Sequence, residues 1–319
     1  MASQDSQKRK VSRRDFLRNT AKTAAGAAVG AGAAKTAHAG VYKSIFPQTV
    51  LGANEKINMG FVGLGTMGFG NVRFSALTEQ FNYVHFCDLN PDFLDRANAF
   101  LEGSEMPKAK EHTYFEEFIG SPDIDAVCVA TPDHWHAIPT MMACDAGKDV
   151  YCEKPLGTTI AEGLAMVAKA KETGRIVQSG MIQRSTPHIQ EAVTLIKDGY
   201  LGKVARADTW INDAETTETI GSPPDEEAPE WLDWERYLGW TPKVPYNENR
   251  YIRNFRWFLE YSGGKMTDWG AHHVDIAQWG LGLDSTGPVS IEGTAVHPVP
   301  FEEGRPLADD QYNTATEFR

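Results

Sequence analysis

From Lys56 to about Gln183, short β-branched or aromatic runs alternate with longer segments of helical patterning. The runs predict strands over Ile57–Val62, Tyr83–Cys87, Ala126–Ala130, Val150–Cys152 and Ile176–Ser179. Helices are predicted between them, over Asn71–Glu79, Asp92–Leu101, Ile138–Ala146 and Ile160–Thr173. Strand and helix in alternation predict an α/β fold with a doubly wound parallel sheet. After Gln183 the pattern changes. Trp210, Trp231, Trp234, Trp240, Trp257, Trp269 and Trp279 crowd into this later stretch and mark a second core. A Pro- and acid-rich loop, Gly221 to Glu230, lies inside it. Met266 to Gly280 predicts one largely apolar helix with Asp268, His272 and Asp275 at i, i+4 and i+7, hence on one face.

The chain's 319 residues suit two domains at ~100–200 residues each. The first forty stand apart: they carry eight bases against Asp5 and Asp15, whereas the remainder holds 23 bases and 41 acids. Ser12-Arg13-Arg14-Asp15-Phe16-Leu17-Arg18 precedes an Ala/Gly-rich run from Ala21 to Ala34 and then Ala37-His38-Ala39. A charged start, a modestly apolar middle and an A-x-A site predict a cleavable signal over residues 1–39, and the paired arginines point to the twin-arginine export route. The expected destination is periplasmic or extracellular, with residues 40–55 a linker. Lys22, Lys35 and the glycines interrupt the apolar run too often for a span of ~20 residues, and no later stretch qualifies. No membrane partner is therefore expected for the mature form. Nor is nucleic acid, because the formal net charge of −12 opposes a phosphate backbone. A neutral molecule, or a phosphate held by backbone amides, fits better. Cys87, Cys128, Cys144 and Cys152 sit in apolar surroundings and read as core residues without chemistry.

Gly63-Leu64-Gly65-Thr66-Met67-Gly68 is a G-x-G-x-x-G between the first strand and a helix. The first glycine allows the tight turn, the second lets a pyrophosphate approach the backbone, and the third lets helix and strand pack closely. Thr66 and Met67 lie at the start of that helix, whose unpaired N–H groups face the anion. Asp88 ends the second strand twenty residues past Gly68, where a carboxylate accepts from a ribose 2′-hydroxyl and repels a 2′-phosphate. The expected cofactor is NAD rather than NADP.

Three further segments complete the set: Thr131-Pro132-Asp133-His134-Trp135-His136, Cys152-Glu153-Lys154-Pro155-Leu156-Gly157, and Gly263-Gly264-Lys265-Met266-Thr267-Asp268-Trp269-Gly270-Ala271-His272-His273-Val274-Asp275. With them the chain resembles the glucose-fructose oxidoreductase / inositol dehydrogenase (Gfo/Idh/MocA) family from about Lys56 to its end. The resemblance implies a Rossmann domain over 56–183 and a substrate domain over 184–319 built on an open, mostly antiparallel sheet. Family members usually continue beyond this point, so the second domain is expected to be C-terminally incomplete; a complete sheet would imply a homo-oligomer assembled through it. The resemblance also implies that Lys154 sits near the nicotinamide and the reacting hydroxyl. It puts Glu153, Thr131, Pro132, His136 and Gln183 around the cofactor, and matches Asp268 and His272 to the family's D-x-x-x-H pair. Arg184 is matched to the domain junction, toward the substrate.

Alcohol oxidation needs a proton acceptor, a hydride acceptor and stabilisation of charge on the oxygen. His272, with an ordinary pKa of ~6.5, suits the first task. Lys154 suits the third. Asp268 either orients the imidazole or grips a neighbouring hydroxyl, and a helix N-cap is its plain structural role. One of Trp257 and Trp269 is expected beside the substrate, since aromatic faces bury sugar C–H groups well. His134, His136, His272 and His273 show no metal-binding spacing, so no metal is expected. The resulting expectation is an NAD(P)-dependent oxidoreductase acting on a sugar, cyclitol or polyol with a tightly held cofactor. Two alternatives stay open: a glycoside hydrolase that oxidises its sugar transiently, and a non-catalytic dinucleotide-binding protein.

Overall fold

The last four residues of Ile57–Val62 are buried, as a central parallel strand covered on both faces requires. This is β1 of the computed structural model, which describes residues 56–211, 220–307 and 312–319. The twin-arginine signal and the linker lie outside the described residues. Five more strands join β1: β2 (Phe81–Cys87), β3 (Lys110–His112), β4 (Ala126–Val129), β5 (Asp149–Cys152) and β6 (Val177–Ser179). Their order is β3-β2-β1-β4-β5-β6, with every pair parallel. The doubly wound sheet is as the sequence predicts. β3 is the addition: Lys-Glu-His at a sheet edge leaves no apolar run to read.

The crossovers are α1 (Thr66–Ala76), α2 (Pro91–Gly103), α3 (Ala137–Asp145) and α4 (Ile160–Thr173). α1 starts five residues before the predicted Asn71, directly out of the glycine loop. α4 has both halves of a capping box, Thr159 and Glu162, and ends on Gly174 at φ +66°. Phe61, Leu64, Val72, Phe86, Leu94 and Leu101 fill one side of the sheet. Val62, Val127, Val129, Ala143, Cys144, Val150 and Met166 fill the other. All four cysteines are buried and free.

Beyond the sheet come α5 (Pro187–Lys197), α6 (Trp234–Leu238), α7 (Lys265–Asp268) and α8 (Gly270–Gly280). The single helix predicted over Met266–Gly280 is thus two, interrupted at Trp269. Leu238, Phe255, Trp257, Phe258, Tyr261 and Tyr312 form the second core that the tryptophan-rich composition predicts. Antiparallel pairing follows, with β7 (Ala295–Val296) beside β10 (Glu317–Phe318), and β8 (Phe301–Glu302) beside β9 (Arg305–Pro306). The open antiparallel arrangement is therefore present as short pairs among the described residues. None of the described helices is long and apolar enough to cross a membrane.

Candidate active site

β1 and β4 are neighbours although β2 and β3 intervene in sequence. The crevice beyond their carboxyl ends is where a doubly wound sheet binds ligands. Here it is a cleft of about 1140 Å³, open mouth included. Gly63 holds φ +86°, and a Cβ there would stand 2.6 Å from the Ala130 carbonyl oxygen. A Cβ on Gly68 would stand 1.9 Å from the Gly63 carbonyl oxygen, so α1 can pack against β1 only without one. A Cβ added at Gly65 would meet nothing within 4 Å. Its open side belongs to the cleft wall, and α1 begins there without a side-chain cap. Those unpaired N–H groups leave a cradle for a pyrophosphate. Arg96 supports the loop from behind: its guanidinium donates to the Leu64 carbonyl at 2.5 Å and lies over Phe69 and Phe93.

Asp88 accepts from the Leu64 N–H at 2.6 Å and from the Asn90 N–H at 2.9 Å. A carboxylate has about four acceptor positions, so it can fix the loop and still receive a ribose hydroxyl. Burial pushes its pKa up to about 6, against the lowering effect of the Asn90 and Leu64 N–H groups and of Arg96. The residues present fit a dinucleotide.

At the other end of the cleft, Lys154 follows β5 and Asp268 ends α7. The Lys154 ammonium donates to Asp268 Oδ1 at 2.5 Å and to the Asp268 carbonyl at 2.9 Å. Arg256 Nε reaches the same Oδ1 at 3.3 Å. Burial would raise the Asp268 pKa, but Lys154 and Arg256 together hold it below the ordinary carboxylate value. His272 is 8% exposed and its Nδ1 is buried without a hydrogen-bond partner. Burial and then the Lys154 charge lower its pKa, while Asp268 and Asp275 oppose them. The lowered pKa keeps the imidazole neutral at pH 7, the form that can take a proton.

Of the residues predicted for the cofactor and the chemistry, Gly63, Gly65, Thr66, Met67, Asp88, Thr131, Pro132, His136, Glu153, Lys154 and Asp268 line this one cleft. His136 ties two turns together, its ring nitrogens on the Thr131 and Pro155 carbonyls. Glu153 Oε1 accepts from Asn71 of α1 at 2.9 Å. Other expectations need correction. Asp268 contacts Lys154 and Arg256 rather than orienting His272, because full cations compete better for a carboxylate than a neutral ring does. His272 stands beside that pair but does not line the cleft. Trp257 is 1% exposed and stacked on Tyr312, and Trp269 is 47% exposed beside His273; neither lines the cleft. Arg184 makes a bidentate pair with Asp275 of α8, at 2.7 Å on both bonds, and Gln183 bonds within its own turn to Thr186. Both stand outside the cleft.

The sequence reading missed Asp133, Arg236, Tyr251, Arg253 and Arg256, all of which line the cleft. Asp133 is buried, and its carboxylate accepts from the Ser262 hydroxyl at 2.6 Å. Arg236 pairs with Glu116 and lies over Phe115 and Trp135. One signal was available for Arg256: a charged residue set between Phe255 and Trp257, both buried.

Comparison with known proteins agrees with this geometry. Residues 57–181 match the model of an oxidoreductase family (GFO_IDH_MocA) described as an NAD-binding Rossmann fold. Residues 210–299 match that of its C-terminal alpha/beta domain. An inositol 2-dehydrogenase of Rhodococcus jostii is 31% identical over 157 residues, 49% of this chain and 42% of that protein. A glycosyl hydrolase family 109 protein of Shewanella pealeana is 28% identical over 172 residues, 51% and 38% of the two. The chain thus spans less than half the length of these two relatives. In fold it is similar to the WlbA dehydrogenase of Bordetella pertussis, solved with NADH and UDP-GlcNAcA, at a TM-score of 0.52 and 20% identity over 72% of this chain and 56% of that one.

Proposed function

Because the chain belongs to the Gfo/Idh/MocA family of oxidoreductases, we propose that it transfers a hydride between a secondary hydroxyl of a sugar, cyclitol or polyol and a tightly held NAD. One observation carries this reading: Lys154 and Asp268, from opposite halves of the chain, meet at 2.5 Å in the wall of the glycine-loop cleft. When bound, NAD supplies the hydride acceptor at its nicotinamide ring. Two of the three Lys154 N–H bonds go to Asp268, and the third serves a substrate oxygen, stabilising the negative charge that develops there. Asp268, anchored also by Arg256, positions the ammonium. His272, neutral at pH 7, receives the hydroxyl proton. Asp88 favours NAD, since a 2′-phosphate would meet its carboxylate.

A screen of inositols, sugars and other polyols at the nicotinamide absorption band tests the activity. Lys154→Ala is expected to abolish turnover and leave NAD binding largely intact; turnover at the wild-type rate would sink the assignment. The relative named as a glycosyl hydrolase supports a second reading, transient oxidation followed by loss of an aglycone. Release of the phenol from aryl glycosides without net NADH would select it. A protein that binds NAD and turns over neither class is the non-catalytic case. The arginine pair and A-x-A site support twin-arginine export, which N-terminal sequencing of secreted protein tests through a start after Ala39. Self-association through the C-terminal strands is proposed for a complete sheet only and is read by sedimentation.

A further inference from the structure

The cleft has two ends. Lys154 and Asp268 mark one, and Asp88 and Thr113, just past β2 and β3, mark the other. The distant segment Tyr251-Ile252-Arg253 also lines the cleft, and its Tyr251 stands at this second end, near Asp88 and Asn90. We propose that this segment is a clamp on the adenosine half of the dinucleotide, in which the Tyr251 hydroxyl donates to the ribose beside Asp88. The proposal rests on the NAD reading above and adds a binding element from outside the Rossmann sheet.

The segment is fixed at its ends. Arg250 is 2% exposed; its carbonyl accepts from the Tyr237 hydroxyl at 2.8 Å, and its guanidinium lies over Phe258. Phe255, at the far end, is buried in the second core. Between them Ile252 is exposed and holds φ +54°, a left-handed conformation that β-branched residues avoid. Backbone of this kind persists where the surroundings over-determine it, and ligand clamps are one such place.

The chemistry of Tyr251 points the same way. Its ring packs among Trp231, Tyr237 and Tyr246, which fixes where the hydroxyl points. That hydroxyl lies against the Asn90 side chain and in the field of Asp88; burial and the Asp88 charge both raise its pKa, so it stays protonated. A protonated phenol is a donor, whereas the free positions of the Asp88 carboxylate are acceptors. A ribose hydroxyl both donates and accepts, so it can bridge the two.

Calorimetric titration of the full chain with NAD+, ADP-ribose and nicotinamide mononucleotide tests the clamp. Tyr251→Phe keeps the ring contacts and removes only the hydroxyl. It is expected to weaken NAD+ and ADP-ribose by roughly three- to tenfold, the worth of one neutral hydrogen bond, and to leave the mononucleotide and the melting temperature unchanged. Unchanged ADP-ribose affinity overturns the clamp and leaves the cofactor reading intact. An equal loss for all three ligands also overturns it, because the cleft as a whole has then been disturbed. Wild-type protein that binds neither NAD+ nor ADP-ribose overturns the cofactor reading itself, and the clamp with it.

Discussion

Lys154 and Asp268 form an ion pair with side chains only 11% and 16% exposed. Removing one member of a buried pair strands the other charge, at about 3–5 kcal/mol. The two members are not equivalent here. Lys154→Met leaves Asp268 with Arg256, 3.3 Å away, so the expected loss lies at or below ~3 kcal/mol. Asp268→Asn leaves the ammonium and the guanidinium converging on a neutral amide, and the expected loss is ~4 kcal/mol. At ~2–4 °C per kcal/mol for chains of this order of size, the second change lowers Tm by ~10 °C. Removing both members together is less harmful than the sum of the single losses, because no lysine charge is left unpaired. Urea unfolding of wild type, the two single variants and the double variant gives the coupling energy directly. Strictly additive losses, or a Lys154→Met protein less stable than Asp268→Asn, would refute the geometry. The pH dependence supplies an independent check. The folded pKa of Asp268 is depressed, so its stabilisation is complete above the unfolded value of ~3.9 and is lost as pH falls through the folded one. Asp268→Asn removes that acid sensitivity.

Three further outcomes follow from the same coordinates. Gly68→Ala forces a Cβ against the Gly63 carbonyl oxygen, whereas Gly65→Ala meets only open space; the first is expected to lower Tm, and the second to preserve Tm while weakening NAD+ by tenfold or more, as melting with and without NAD+ checks. Asp88, with a pKa of about 6, loses acceptor capacity on protonation. NAD+ affinity should therefore fall as pH drops through about 6, and Asp88→Asn should flatten that dependence. The same protonation favours the folded chain over the unfolded one, whose aspartates titrate near ~3.9, so stability and affinity move in opposite directions. For His272, whose pKa is lowered, the acid limb of kcat/KM should have its midpoint below ~6.5 and disappear in His272→Gln. A midpoint above the ordinary histidine value would contradict its burial beside Lys154.

The parts of this molecule that were legible in the sequence are those whose cause is local. Gly63 and Gly68 each answer a local constraint, a left-handed φ at the first and the Gly63 carbonyl five residues before the second, and the buried runs of β1 and β4 can be read from apolar content alone. β3 was hidden because an edge strand buries too little to need an apolar pattern. Tyr251 and Arg256 were hidden because they lie outside regular α-helix or strand, where no period marks a face. Spacing misled most on Asp268, His272 and Asp275, because the i, i+4 rule assumes one unbroken helix where α7 and α8 are two, and says nothing of which partners arrive from elsewhere. Arg184 draws Asp275 away. Lys154 and Arg256 take up the Asp268 carboxylate, which a neutral imidazole could not hold against two cations. His272 is therefore left with an unbonded Nδ1. What keeps it neutral, burial and then the Lys154 charge, comes from partners that its spacing could not show.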